Sequence, residues 1–159
     1  MRRLATLIAA AALVLAACDA SPGPSRRTLA PGGAVTVTLG IYSGRPDPAW
    51  TLSDGEAGGL RMLVESLPIA TAVPPEGGLG YHGFLVRIAE DSGGGSIYLV
   101  YDGVVSLAGS GRRDVWLDPS REVERFLLRT GASALTVVER GEAAEAIGPP
   151  PTAVPSSGG

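Results

Sequence analysis

The 159-residue sequence contains one cysteine, one histidine and no lysine, asparagine or glutamine. The single cysteine, Cys18, cannot form a disulfide bond within the chain, so packing must hold the folded part together. The single histidine, His82, has no second imidazole with which to share a metal ion. The absence of asparagine excludes an N-linked glycosylation site. We therefore expect a disulfide-free protein without a bound metal.

Glycine is abundant, but its clusters lack the residues of a nucleotide-binding loop. A P-loop needs a lysine, and neither 77–80 nor 93–95 matches the G-x-G-x-x-G pattern of dinucleotide sites. The acidic residues form no D-x-D-x-D-G calcium loop. Arg112-Arg113 is a short basic patch on a chain whose net charge is -3, which disfavours a nucleic-acid partner. We expect no cofactor and no nucleic-acid binding.

The first 18 residues have the three parts of an export signal. Met1-Arg2-Arg3 is positively charged, residues 4–15 are almost entirely apolar, and two small alanines precede Cys18. The apolar run is shorter than the roughly 20 residues that a membrane-spanning helix needs. Leu15-Ala16-Ala17-Cys18 closely resembles the lipobox of a bacterial lipoprotein signal peptide.

This resemblance implies that residues 1–17 are removed and that a diacylglycerol, typically carrying palmitate, is attached to the sulfur of Cys18. It further implies a cell-envelope protein anchored in the cell membrane or the outer membrane, with its domain facing the periplasm or the exterior. Cleavage would remove two arginines from a chain of net charge -3, which leaves -5. The alternative is that Cys18 is a buried small side chain or a free thiol.

Proline and glycine content divides the remaining chain into three parts. Residues 18–33 and 141–159 are small, polar and rich in Pro and Gly, so we expect a flexible tether and a disordered tail. Residues 34–140 are long enough for one hydrophobic core and too short for two. They are therefore the predicted globular domain.

Alternation of apolar and polar residues predicts four strands in this domain, with turn signals between them. The strands are expected at 35–41, 84–89, 97–101 and 104–108, and a fifth, at an edge, at 135–138. Asp102-Gly103 is a strong hairpin signal because both positions of such a turn need positive φ. Residues 69–80 are rich in Pro and Gly and are predicted to form a loop.

Two helices are predicted from their capping residues. The first begins with a capping box formed by Ser53 and Glu56 and ends before Pro68. The second begins with Asp118 as its cap and Pro119 at its first position, and it ends at Gly131. The sequence thus predicts a single small α+β domain, with a mainly antiparallel sheet of about four to five strands and two helices packed on one face.

The segment Ser43–Trp50 directly follows the first strand, and two prolines fix its course. It carries Arg45, Asp47 and Trp50 within six residues. One interpretation is a rigid recognition loop in which Trp50 is an apolar platform and Arg45 binds a carboxylate or another anion. The other is a structural corner in which Trp50 fills the core while Arg45 and Asp47 pair locally.

Tyr81 and His82 lie between glycines at the entrance to the second strand. Catalysis by His82 would need a serine or an acid from elsewhere in the chain, and no G-x-S-x-G nucleophile elbow is present. The simpler interpretation is a surface histidine. We expect no catalytic residue and a binding surface formed by Arg45, Asp47, Trp50, Tyr81 and His82.

The function expected from these observations is that of a lipid-anchored, non-enzymatic binding or structural module of the cell envelope. Its partners would be the membrane, through Cys18, and an envelope protein or a small ligand. Two alternatives remain open: a small hydrolase that uses His82, and an inhibitor whose proline-stiffened loop blocks a protease. Beyond the signal peptide, the chain resembles no characterised family.

Overall fold

The structure is a computed structural model that describes residues 33–76, 79–89, 95–108 and 113–150. These residues form an antiparallel sheet and three helices, as an α+β domain. The elements in chain order are β1 (Val35–Gly40), β2 (Ala49–Thr51), α1 (Asp54–Glu65), β3 (Ile69–Ala72), β4 (Gly83–Ala89), β5 (Gly95–Tyr101), β6 (Val104–Leu107), β7 (Arg113–Leu117), α2 (Glu122–Thr130) and α3 (Val137–Ile147). The predicted signal peptide, Cys18 and all of the predicted tether except Gly33 lie outside the described residues.

The seven described strands form one sheet in the order β2-β1-β4-β5-β6-β7-β3. Every neighbouring pair is antiparallel, and β1 pairs with β4 through Val37 opposite Val86. The predicted hairpin between β5 and β6 is confirmed, with φ of 51° at Asp102 and 72° at Gly103. The α+β class and the antiparallel sheet are therefore as predicted.

The sheet has more strands than the four to five that we expected. The additional strands β2, β3 and β7 have three to five residues each, and β3 lies where a loop was predicted. Their sequences show little alternation because they are short and, in β2 and β3, half exposed. β3 is specified by its pairing with β7, in which Ile69 lies opposite Trp116. Such pairing depends on a distant segment and leaves little trace in the local pattern.

The predicted edge strand at 135–138 is wrong, because this segment starts the third helix. Thr136 and Glu139 form a reciprocal capping box in which Thr136 Oγ1 accepts from the Glu139 N–H. The helix continues past residue 140, the predicted end of the domain, and it buries Ala143 and Ile147 in the core. Residues 141–147 therefore belong to the folded domain.

The capping box of α1 is confirmed: Ser53 accepts from the Glu56 N–H, and Glu56 Oε2 accepts from the Ser53 N–H. The start of α2 differs from our prediction. Asp118 Oδ2 accepts from the Val123 N–H at 2.7 Å, but the helix begins at Glu122, after Arg121 at a φ of 55°. Asp118 therefore still binds an N–H group of the first turn, but α2 starts at Glu122 and not at Pro119 as the sequence pattern predicts. Gly131 is the C-cap, as predicted.

The hydrophobic core lies between one face of the sheet and the helices. Phe84, Val37 and Leu39 are fully buried on the sheet side, and Leu127 and Val123 on α2 are fully buried above them. The largest fully buried side chains come from β1, β4, β6, α1 and α2. On the other face of β4, Leu85 is 44% exposed. We expected two helices on the core side, whereas the described chain has three.

Candidate functional site

The loop after β1 is fastened to the end of that strand by Asp47. Its Oδ1 atom accepts from the Ile41 N–H at 3.1 Å and from the Tyr42 N–H at 2.9 Å. The Leu39 N–H also donates to the Pro48 carbonyl at 3.0 Å. Asp47 therefore has a structural role in shaping the loop, which its position in the sequence did not reveal.

Arg45 does not form the local pair with Asp47 that one interpretation of the sequence required. Its guanidinium carbon lies 3.3 Å from the centroid of the Tyr42 ring, a cation–π contact. The Tyr42 hydroxyl donates to Glu139 Oε1 at 2.6 Å, so this ring joins the loop to α3. The loop is consequently held at both its strand end and its helix side.

Trp50 points into the domain from β2. Its indole N–H donates to Thr130 Oγ1 at 3.0 Å, and its ring packs edge-on against Phe84 with centroids 6.3 Å apart. The ring is also so close to Gly131 that an added Cβ there would lie 2.9 Å from it. These contacts support the structural interpretation of Trp50, since its apolar surface is used against the core.

Tyr81 is held by a buried carboxyl group. Its hydroxyl donates to Glu124 Oε1 at 2.6 Å, while Glu124 Oε2 accepts from the Gly103 N–H at 2.9 Å. Glu124 is 0% exposed. The burial of Tyr81, together with the negative charge of Glu124, raises the pKa of Tyr81 far above its ordinary value. Tyr81 is therefore a fixed, neutral hydrogen-bond donor, and its ring packs against Phe84 and Tyr101.

His82 lies beside the end of β1. Its Nδ1 atom is 2.7 Å from the Gly80 carbonyl oxygen, and its ring covers Gly40, where an added Cβ would lie 2.5 Å from Cδ2. Within the described ranges, no serine hydroxyl or carboxylate is hydrogen-bonded to the His82 ring. The described residues also contain no group of three His, Cys, Asp or Glu side chains placed to share a metal ion.

An open groove of about 600 Å³ lies between the loop after β1 and α3. We call it the tyrosine–glutamate groove. Its lining residues are Ile41, Tyr42, Gly80, Tyr81, Glu142, Glu145 and Ala146. The structure thus brings Tyr81 together with Tyr42, on which Arg45 stacks, whereas Trp50 and His82 do not line this groove.

The C-terminal end of α3, the helix that forms one wall of the groove, is held by two arginines. One is Arg125 of α2, and the other is Arg121, the N-cap residue of α2. Arg121 Nη1 donates to the Ala146 carbonyl at 2.9 Å, and its Nη2 forms an ion pair with Asp102. Arg125 Nη1 approaches the Gly148 carbonyl at 3.4 Å. These contacts satisfy carbonyl groups that the end of a helix leaves open. The wall is therefore part of the rigid domain.

Three groove residues with a hydroxyl or carboxyl group were not among the residues predicted from sequence: Tyr42, Glu142 and Glu145. The two glutamates lay in the predicted tail, so they had no assigned place in the fold. The signal that could have found them is the Thr136-x-x-Glu139 capping box followed by Glu142 and Glu145 at three-residue intervals. That spacing places the three glutamates close together along one side of a helix.

We predict that the Tyr42–Glu139 hydrogen bond makes stability depend on pH at both extremes. The hydrogen bond from Tyr42 lowers the pKa of Glu139 below 4.5, and hydrogen bonds from Thr136 lower it further. The Tyr42–Glu139 bond also raises the pKa of Tyr42 above 10.0. The Glu139 contribution is lost as pH falls through its lowered pKa, and the Tyr42 contribution is lost as pH rises through its raised pKa. The free-energy difference between wild type and Tyr42→Phe should be constant between about pH 5 and pH 9 and shrink outside that range.

Urea unfolding at a series of pH values measures this difference, and Ser53→Ala provides the contrast. The Ser53 hydroxyl and backbone lower the pKa of Glu56, but serine does not titrate. The Ser53→Ala difference should therefore shrink only on the acidic side. A Tyr42→Phe difference that does not change with pH would contradict the prediction.

No family model matches this chain, and no curated protein and no solved structure matches it either. Within the described ranges, no helix combines the length and the apolar character needed to cross a bilayer.

Proposed function

We propose that this protein is a lipid-anchored, non-enzymatic binding module of the bacterial cell envelope, and that the tyrosine–glutamate groove is its contact surface. The observation that carries the binding part is that both walls of the groove are preformed. The Tyr42–Glu139 bond joins the loop to α3, and the Glu124 carboxyl group fixes Tyr81. A preformed concave surface loses little entropy on binding.

The groove also has the composition of a recognition surface. Its volume of about 600 Å³ lies within the usual range for ligand sites. Two tyrosine rings provide rigid contact area at low entropic cost, and exposed carboxylates on α3 provide polar contacts. The catalytic alternative has less support, because His82 Nδ1 is close to a backbone carbonyl and the ring has no serine or acidic partner among the described side chains.

The lipid anchor rests on the lipobox, Leu15-Ala16-Ala17-Cys18. Cells grown with an alkyne analogue of palmitate should label the wild-type protein, which should fractionate with the envelope. Cys18→Ser should be unlabelled, because the thioether cannot form, whereas Ser21→Ala should be labelled like the wild type. Equal labelling of wild type and Cys18→Ser, or an unlabelled wild type, would contradict the anchor.

The contact surface can be tested separately by site-specific photocrosslinking in cells. A benzoylphenylalanine at Ala146, on the rim of the groove, should give a discrete crosslinked product. The same residue at Met62, which is 71% exposed on α1, should give none or a different product. Identical products from both positions would show that the groove is not a selective surface.

A further inference from the structure

Strand β3 lies at one end of the sheet, and only one of its two edges is paired with a described strand. It is the last strand in the order of the sheet, and its neighbour is β7. The Leu117 N–H donates to the Pro68 carbonyl at 2.9 Å, and hydrogen-bonded residues alternate along an antiparallel pair. Ala70 and Ala72 therefore direct their backbone groups toward β7, whereas Ile69 directs its N–H and carbonyl groups outward.

The outward-facing residues of this edge are apolar and exposed. Ile69 is 45% exposed, although it lies opposite Trp116, which is 5% exposed and belongs to the core. Val73 directly follows β3, is 71% exposed and precedes a proline, which favours extended backbone. Residues 66–75 include no charged side chain, whereas exposed strand edges are usually protected by charges. The edge thus lacks the feature that normally prevents pairing with another strand.

The sequence of this edge is almost the same when it is read in either direction. Residues 68–74, which we call the β3 edge, are Pro-Ile-Ala-Thr-Ala-Val-Pro, a palindrome apart from the exchange of Ile69 for Val73. Two antiparallel copies related by a two-fold axis at Thr71 place Ile69 of each copy opposite Val73 of the other. In the alternation along β3, the two prolines occupy positions that face β7, so they remove no outward N–H donor. The β3 edge is therefore complementary to itself.

From this self-complementarity we infer that two copies of this chain pair through their β3 edges, antiparallel and across a two-fold axis at Thr71, into one continuous sheet. The Ile69 N–H of each copy donates to the Val73 carbonyl of the other, and the Val73 N–H donates to the Ile69 carbonyl. The two apolar side chains cover each other and extend the core layer beyond Trp116.

The pairing closes at two copies. A two-fold contact uses the same edge on both chains, so no β3 edge is left to add a third. The sheet's other edge strand, β2, has only three residues and follows Pro46 and Pro48, which makes it a poor template for further pairing. The contact is about 24 Å long and one strand wide, which is typical of weak and reversible association. We expect a dissociation constant of about 1–100 µM. This dimer uses a surface other than the tyrosine–glutamate groove, so its test is independent of the proposed function.

The register is tested by disulfide formation in the full-length Cys18→Ser chain in detergent, in which introduced cysteines are the only thiols. In the proposed register, Ala70 of one copy lies opposite Ala72 of the other, with Cα atoms about 4.5 Å apart. A disulfide spans this distance, whereas identical positions in the two copies are about 7–8 Å apart. An equal mixture of Ala70→Cys and Ala72→Cys chains should therefore give at least about fivefold more linked dimer than either chain alone.

The affinity is tested by sedimentation equilibrium of the full-length chain in density-matched detergent. Ile69→Lys/Val73→Lys places lysines opposite each other and should weaken the dimer by at least about tenfold. Ile69→Lys/Val73→Glu places each lysine opposite a glutamate of the other copy and should recover most of the affinity. The control Leu79→Lys/Leu85→Lys adds two lysines at exposed apolar positions outside the β3 edge and should stay within about twofold of the wild type. Circular dichroism checks that each variant is folded.

Several outcomes would overturn the proposed dimer. One is a monomer at every concentration, which would leave this edge to a different polypeptide. Another is equal disulfide formation in mixed and unmixed cysteine chains, which would indicate random collision. Equal weakening by the control and by Ile69→Lys/Val73→Lys would indicate only general charge repulsion. Failure of Ile69→Lys/Val73→Glu to recover affinity would reject the register. If a cysteine variant does not fold, the sedimentation comparison still decides between dimer and monomer.

Discussion

Replacing Phe84 with alanine is expected to lower the free energy of unfolding by about 3–5 kcal/mol. Phe84 is 0% exposed on β4, and its ring has edge-on contacts with Trp50 and Tyr81, with centroids 6.3 Å and 5.9 Å apart. Truncation removes buried apolar surface, leaves a cavity and abolishes both aromatic contacts. The loss is a large fraction of the roughly 5–15 kcal/mol by which a domain of this size is stable.

Urea unfolding followed by tryptophan fluorescence measures this effect, because Trp50 reports on the same cluster. Leu85→Ala is the matched control: the neighbouring side chain lies on the other face of β4 and is 44% exposed. Its cost should be below about 1 kcal/mol. If Phe84→Ala costs no more than Leu85→Ala, the aromatic cluster does not form the centre of the domain.

Replacing Glu124 with alanine should lower the free energy of unfolding by about 3 kcal/mol. The Glu124 carboxyl group is fully buried and receives hydrogen bonds from the Tyr81 hydroxyl and the Gly103 N–H. Alanine would leave the buried Gly103 N–H and the partly buried Tyr81 hydroxyl without a partner, and the loss of a buried partner costs about 1–3 kcal/mol. Because Tyr81 lines the groove, the same change should also loosen its wall.

Glu124→Gln separates hydrogen bonding from charge. The glutamine carbonyl can accept from the Gly103 N–H, while its NH₂ group can donate to the rotated Tyr81 hydroxyl. Its cost should therefore be clearly smaller than that of the alanine variant. A double-mutant cycle with Tyr81→Phe should give a coupling energy of about 1 kcal/mol with Glu124→Ala. Absence of coupling would mean that the observed bond does not contribute to stability.

The helix caps show how far local sequence can predict this fold. Ser53 and Glu56 predicted the start of α1 because a capping box involves only residues within one turn. The same pattern occurs at Thr136 and Glu139, but Leu135 to Val138 are also typical of a strand. The local sequence there is therefore compatible with both a helix start and a strand. Burial of Ala143 and Ile147 against the core favours the helix.

The short strands show where local sequence is not enough. β3 has four residues, two of them exposed. It forms a strand because it is hydrogen-bonded to β7, which lies more than forty residues later in the chain. Propensity over four residues cannot specify such a pairing. The same reason applies to the groove: Tyr42 and Glu139 are 97 residues apart in sequence and meet only after the sheet and α3 have formed.

The sequence by itself determined the α+β class, the antiparallel sheet, the Asp102-Gly103 hairpin and the capping of α1. Each of these follows from periodicity or from contacts between near neighbours in the chain. Only the tertiary structure decided that Trp50 faces the core, that Asp47 fastens a loop, and that Tyr42, Tyr81 and two glutamates of α3 line one groove. The physical reason is that the direction and the partner of a polar side chain depend on what packs beside it. In this domain that neighbour comes from a distant part of the chain.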